Sequence, residues 1–269
     1  MNSPSQGTAL ITGASSGIGA IYADRLARQG YDLVLVARNA ERLQRLAAHL
    51  SAATGRHIAT LAADLTRPDD LSRVEQLLKT DPAITMLVNN AGFGSTAPLL
   101  QSDIDSMDRM IALNVGVLTR LAYAAAPGFV ERGTGTLVNI ASIVAIAPEL
   151  LNGVYGGTKA FVLAFSQSLR HELADKGVRV QAVLPGATAT DFWKVAGTPV
   201  EHLPGSIVMN AEAMVDAALA GLRQGEFVTI PALPDLADWE AFEAARRALG
   251  PGLSRSVPAA RYAARPLAA

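Results

Sequence analysis

The stretch that most constrains this chain is Thr12-Gly13-Ala14-Ser15-Ser16-Gly17-Ile18-Gly19. A short apolar run, Thr8 to Ile11, precedes it, and a helical pattern, Ile21 to Gln29, follows. Strand, glycine-rich turn and helix in that order make an anion site, because the free N–H groups and positive dipole end of the helix face whatever sits in the turn. Gly13 can take the tight turn out of the strand, Gly17 lets backbone N–H groups approach a pyrophosphate, and Gly19 lets the helix lie close to the sheet. The spacing G-x-x-x-G-x-G departs from the G-x-G-x-x-G of most dinucleotide sites. Turns of this kind also occur as ordinary loops, so the rest of the chain decides the meaning.

The rest is rich enough in apolar residues to bury a large core. Half of the 269 residues are hydrophobic and 17% are charged, which argues against disorder. A net charge of −1 provides no basic field for nucleic acid, so no nucleic-acid partner is expected. With no cysteine, disulfides, thiolate catalysis and cysteine metal sites are excluded. The four histidines, His49, His57, His171 and His202, have no ligand spacing, so no metal is expected. Met1 to Gly7 is polar and short, unlike a signal or transit peptide. No run of about 18 apolar residues occurs, so no membrane span is expected and a soluble cytoplasmic protein is.

Apolar runs recur in strand-like lengths, separated by helical patterns. Asp32 to Ala37 reads as a strand buried on both faces, followed by a helix from Asn39 to Ala53 with leucines at 43, 46 and 50. Ile58 to Ala62, Ile84 to Val88, Gly135 to Ala141, Val178 to Leu184 and Glu226 to Ile230 read as further strands. Between them, helices are expected from Pro68, from Ser102 or Asp103 to about Ala126, from Gly156 to Lys176, and from Ala211 to Leu222. Strand–helix alternation predicts an α/β fold, one Rossmann-like doubly wound domain with a mainly parallel sheet of about seven strands and helices on both faces. Two stretches differ: an irregular segment at about 190–210, expected to be a variable substrate loop, and a Pro- and Arg-rich extension at about 231–269. The extension carries Arg246, Arg247, Arg255, Arg261 and Arg265, a cluster read as a solvated face.

In an open parallel sheet, ligands bind beside the C-terminal strand ends. The glycine turn, Asp64, Asn89-Asn90 and Ser142 all fall there. Tyr155 and Lys159 follow Ser142 at the start of the next helix, four apart and therefore on one face. An ammonium near a phenol stabilises the phenolate, so Lys159 is expected to lower the Tyr155 pKa toward the working range of an acid–base catalyst. At the end of the second strand stands Ala37 where a carboxylate would select a ribose hydroxyl, and Arg38 follows. A guanidinium at this point can hold a 2′-phosphate with paired hydrogen bonds. Arg38 could instead point to solvent or pair with Glu41. Phe192 and Trp193 either wall the substrate or pack the loop on the core.

With these motifs in order over residues 8 to 190, the chain resembles the short-chain dehydrogenase/reductase superfamily. The matching residues are Thr12 to Gly19, Asp64, Asn89 to Gly92, Asn114, Ser142, Tyr155, Lys159 and Pro185-Gly186 with Thr188 and Thr190. One departure is Gly156-Gly157 between the tyrosine and the lysine, expected to loosen the helix start.

The resemblance implies hydride transfer between NADP(H) and a small-molecule carbonyl or secondary alcohol, of carbonyl reductase type. It implies Tyr155 as general acid or base, Ser142 polarising the substrate oxygen, Lys159 holding the ribose, and Asn114 helping to hold a relay water. Gly13, Ser15, Ser16, Gly17, Ile18 and Gly19 would hold the pyrophosphate side and Arg38 the 2′-phosphate. Asp64 and Leu65 would flank the adenine, with Asn90, Ala91 and Gly92 along the ribose. Pro185, Gly186, Thr188 and Thr190 would lie on the carboxamide and phosphate side. The family usually assembles through its two long helices, so a homodimer or homotetramer is expected. A nucleotide-binding regulator and an isomerase or dehydratase on the same scaffold remain the alternatives. An intact Asn-Ser-Tyr-Lys set argues against both.

Overall fold

In the computed structural model, residues 5–262 are described. Met1 to Pro4 of the polar N-terminus and Arg265 of the arginine cluster lie outside the described residues. Among these residues the strands are Thr8–Thr12 (β1), Asp32–Ala37 (β2), Ile58–Ala62 (β3), Ile84–Asn89 (β4), Gly135–Ile140 (β5), Val178–Val183 (β6) and Val228–Thr229 (β7). They form one sheet in the order β3-β2-β1-β4-β5-β6-β7, and every pairing is parallel. The order reverses at β1, which pairs with β2 on one side and β4 on the other. This is the switch point at which a ligand crevice opens.

Both faces of the sheet are covered, which explains the unbroken apolar runs. Ala9, Ile11, Leu33 and Leu35 pack on one side with helices Gly17–Arg28 (α1), Ala40–Thr54 (α2) and Ala211–Gln224 (α8). Leu10, Val34 and Val36, the alternate positions, pack on the other side. That second layer is made by Pro68–Thr80 (α3), Leu118–Glu131 (α5) and Gly153–Leu173 (α6). Side chains alternate across a strand, so each strand feeds both cores.

Several boundaries differ from the sequence reading. The helix expected to end near Ala126 continues through Pro127 to Glu131, capped at its start by the Asp103 carboxylate, which accepts from Ser106 N at 2.8 Å. It runs as Ile104–Ile111 (α4), a wider π-turn stretch at Ala112–Val117, and α5. Residues 104–131 reach the length and apolarity of a membrane span. Its Val117, Leu121, Ala125 and Phe129 are nonetheless buried in the sheet-side core, as expected of a core helix. Helix α6 begins three residues early, because the Asn152 carboxamide accepts from Val154 N and Tyr155 N. The two glycines therefore do not loosen its start, and Gly156 lies tightly against Pro148. The last strand contracts to β7, paired only through Val228 and Thr229.

The irregular segment contains a short helix, Phe192–Ala196 (α7), and two 3-10 turns. Its two ends are stitched together: Thr188 and Met209 form an isolated parallel bridge, Met209 N donates to Ala187 O at 2.8 Å, and Ala189 N donates to Met209 O at 2.9 Å. A second tie holds the segment to residue 96, where Thr96 N and Oγ1 both donate to Ala196 O, at 2.9 and 3.0 Å.

By compactness the chain divides after Ala232. The second unit holds a helix the sequence reading missed, Leu236–Ala248 (α9), capped by Asp235 accepting from Ala237 N at 2.9 Å. Within that unit Arg246 makes a two-pronged hydrogen bond with Glu243, so not every arginine there faces water alone.

Candidate active site

The crevice at the switch point is a cavity of about 1870 Å3. A single small ligand needs roughly 300–1,000 Å3, so there is room for a dinucleotide and a substrate together. Its floor is the glycine turn. Gly13 and Gly17 adopt left-handed φ values of +66° and +52°, which a side chain would strain. Ser16 occupies the cap position of α1 without a side-chain hydrogen bond, leaving first-turn N–H groups for an anion. Asn90 fastens β4 to this turn, its Nδ2 donating to Thr12 O at 2.9 Å, while Thr12 Oγ1 accepts from Asn90 N and Ala91 N, both at 3.0 Å.

Of the residues expected at the site, Gly13, Ser15, Ser16, Gly17, Ile18, Arg38, Asp64, Leu65, Asn90, Ala91 and Gly92 line the cavity. Ser142, Tyr155, Lys159, Pro185, Gly186, Thr188 and Thr190 line it as well. Gly19 and Asn114 stand behind the wall. A Cβ on Gly19 would come within 2.4 Å of Gly13 O, so Gly19 holds α1 against the turn. Asn114 lies in the π-turn stretch, and its carboxamide is already engaged: Oδ1 accepts from Phe93 N, and Nδ2 donates to Phe93 O and Thr158 Oγ1.

Arg38 follows β2 in the open, and among the described residues no hydrogen bond or ion pair engages its side chain. Glu41, the competing partner, is taken by Arg45 at 3.0 Å. Asp64 is held below the usual carboxylate range, chiefly by a hydrogen bond from the Thr66 side chain, with Arg38 adding a smaller attraction. Arg42 also lines this end of the cavity. The sequence reading missed it, although four residues after Arg38 at the opening turn of α2 it had the spacing to reach the same place.

At the other end, Tyr155 and Lys159 share the buried side of α6. Lys159 Nζ donates to Ile140 O at 2.8 Å and lies 5.8 Å from the centre of the Tyr155 ring. The charge balance runs against the expectation that Lys159 depresses Tyr155. Burial pushes the phenol up to about 12, and a hydrogen bond with the Ser142 side chain only partly offsets it. Burial also brings Lys159 down to about 8. The ammonium is spent on a backbone carbonyl, and both groups lose water. Tyr155 therefore keeps its proton at neutral pH. Ser142 Oγ lies 3.3 Å from Pro185 O, to which it donates.

Lys159 carries a stability cost with a defined pH window. Its folded pKa lies below its ordinary value of 10.5, so the folded state binds fewer protons between about pH 8 and 10.5. Stability thus rises with pH across that window, and the whole cost, about 3 kcal/mol, is present below it. Lys159→Met is expected to raise Tm at pH 7 by a few degrees, after loss of about 1 kcal/mol for the bond to Ile140. The gain should vanish by pH 10.5. Thermal melts of both proteins at the two pH values check this; a lower Tm for the variant at pH 7 contradicts it.

An open doubly wound sheet with an uncapped glycine turn at its switch point, and a buried Ser-Tyr-Lys cluster at the neighbouring strand ends, defines a dinucleotide-type oxidoreductase scaffold. The chain belongs to the short chain dehydrogenase family, whose model matches residues 7–200. It is 50% identical to a short-chain dehydrogenase from Sphingobium yanoikuyae, solved in complex with NADPH, over 95% of this chain and 99% of that one, with a TM-score of 0.92. It is 45% identical to the bulky-bulky ketone specific alcohol dehydrogenase from Comamonas testosteroni, over 98% of this chain and 100% of that one, with a TM-score of 0.88. A curated relative, the very-long-chain 3-oxoacyl-CoA reductase of Bos taurus, is 37% identical over 194 residues. That match covers 70% of this chain and spans 61% of the bovine enzyme.

Proposed function

We propose that this enzyme uses NADP(H) to reduce bulky, apolar ketones, and to oxidise the corresponding secondary alcohols, with Tyr155 as the proton-transferring group. The observation that carries this reading is the placement of Ser142, Tyr155 and Lys159 in one cavity with the uncapped glycine turn and the free guanidinium of Arg38. The residues present fit the cofactor: first-turn N–H groups suit a pyrophosphate, and Arg38 suits a 2′-phosphate. When bound, such a cofactor supplies a hydride. The chain's own residues do the rest. Tyr155 Oη gives its proton to the substrate oxygen, and Ser142 Oγ hydrogen-bonds the same oxygen. Lys159 would hold the ribose, and Leu150, Leu151, Trp193, Leu203, Ile207 and Met209 give the cavity an apolar lining for the substrate. The likeness to the NADPH complex from Sphingobium and to the Comamonas ketone enzyme supports the cofactor and the substrate class. Loss of NADPH absorbance with ketones, aldehydes, quinones and 3-oxoacyl thioesters tests the reading; bulky apolar ketones should give the highest kcat/KM. A protein that binds NADPH and reduces none of them would be the regulator instead.

The same reading includes a homo-oligomer built on α4, α5 and α6. Tyr123 stacks on Phe165 at 6.3 Å and Phe165 on Phe161 at 5.7 Å, yet Tyr123 is 68% exposed and Ile104 69%. Leu169, on the same helix, is buried in the core and takes no part in this strip. An outward aromatic and aliphatic strip of this kind marks an interface. Light scattering at micromolar concentration should give a dimer or tetramer mass, and Tyr123→Glu with Phe161→Glu should shift it toward the monomer. A wild-type monomer would contradict the proposal.

A further inference from the structure

One wall of the cavity is built around a fit with no slack. Phe192, the first residue of α7, has its ring against both Gly94 and the ring of Tyr155. A Cβ on Gly94 would come within 2.5 Å of Phe192 Cζ and 3.1 Å of Tyr155 Cδ2. The Phe192 and Tyr155 ring centres are 5.7 Å apart, with planes tilted by 44°. The neighbouring Trp193 meets Phe192 edge-on at 5.5 Å. Trp193 is buried, and its Nε1–H donates to Thr188 O at 2.9 Å. The far end of α7 is tied to Thr96 through Ala196 O. Both rings line the cavity, but they separate in role: Trp193 anchors the short helix through its Nε1–H, while the Phe192 ring is the one packed on Tyr155.

Resting on the reading of Tyr155 as proton donor, we infer that Phe192 sets the size of the ketone substituent accepted beside Tyr155. Gly94 is its positioning residue. A carbonyl oxygen in hydrogen-bond reach of Tyr155 Oη brings one of the two substituents on the carbonyl carbon against the Phe192 ring. The other substituent extends into the wider part of the cavity, past Leu150, Leu203 and Ile207. The preferred substrate is therefore an asymmetric ketone with one compact or flat group packed on Phe192 and one extended apolar group. A side chain at position 94 would displace the Phe192 ring first, because its Cβ would meet that ring more closely than it meets Tyr155.

The test is a matched series of hexyl methyl, hexyl propyl and hexyl phenyl ketones, read as kcat/KM with NADPH. Phe192→Ala should raise the phenyl-to-methyl ratio by at least about tenfold, within the range one lost apolar contact supports. Gly94→Ala should lower the ratio, and Gly94→Ala combined with Phe192→Ala should recover most of that loss. Such rescue is not expected of two independent structural defects. NADPH titration by fluorescence reports whether each variant is folded, and Phe192→Leu takes the place of the alanine variant if that one fails to bind. A ratio that moves less than threefold in a folded Phe192 variant overturns the inference. If the wild type reduces none of the three ketones, the functional reading itself fails, separately from this one.

Discussion

Tyr155→Phe is expected to slow ketone reduction at least about 10²–10⁴-fold, the contribution of a positioned general acid, while the Kd for NADPH stays nearly unchanged. The substitution removes only the phenol oxygen. The ring keeps its packing against Phe192, and Lys159 keeps its bond to Ile140 O, so the cavity retains its shape. Burial holds the phenol at about 12, so in the wild type the proton is present throughout the neutral range and reduction needs no prior protonation. The reverse reaction needs the phenolate, so alcohol oxidation should accelerate as pH rises. Steady-state absorbance across pH 6–10, with NADPH binding measured beside it, tests both statements. A Phe variant with near-wild-type kcat would remove Tyr155 from the mechanism.

A second large effect is expected at the opposite end of the cavity. The wild type should prefer NADPH over NADH at least tenfold in kcat/KM, since a charge-assisted contact contributes roughly 1.5–3 kcal/mol. Among the described residues Arg38 has no hydrogen bond or ion pair to give up, only a weak attraction to Asp64, and Glu41 is committed to Arg45. Arg38→Ala should therefore remove most of the preference by raising KM for NADPH. Arg42, on the same rim, would account for what is left. Ala37→Asp should favour NADH, by repelling the phosphate and accepting from a ribose hydroxyl. Equal use of the two cofactors by the wild type, or an unchanged ratio in Arg38→Ala, would contradict this account of the end of β2.

The architecture was legible because the sheet is buried on both faces. Each strand shows as an unbroken apolar run, and the polar residues that stop it, Asp64, Asn90 and Ser142, fall at the ends where ligands bind. That Tyr155 and Lys159 share one face of a helix was legible from their spacing together with their position after the strand that ends beside Ser142. Their electrostatics were not, since the direction of each pKa depends on how much water Phe192, Ile140 and their neighbours exclude. The engagement of Asn114 with Phe93 was hidden for a similar reason: a loop 21 residues away meets a helix widened by a π turn. Helix α9 escaped notice because prolines before and after it suggested an irregular tail, whereas Asp235 supplies a cap that the apolar pattern did not advertise. The bridge between Thr188 and Met209 joins an otherwise aperiodic stretch and leaves no local pattern.

That bridge has an evolutionary consequence. Because residues 188 and 209 are held side by side, everything between them is a closed excursion whose entry and exit stay put whatever its contents. Lengthening such an excursion is cheap, about 0.6 kcal/mol for each doubling, and leaves β6 undisturbed, provided Phe192 keeps its place against Tyr155. The enzyme can therefore acquire a new substrate range by exchange of the part of this cassette beyond Phe192, with the elements that carry Ser142 and Tyr155 left in place. Grafts made between these two residues should fold far more often than grafts with cut points inside the segment.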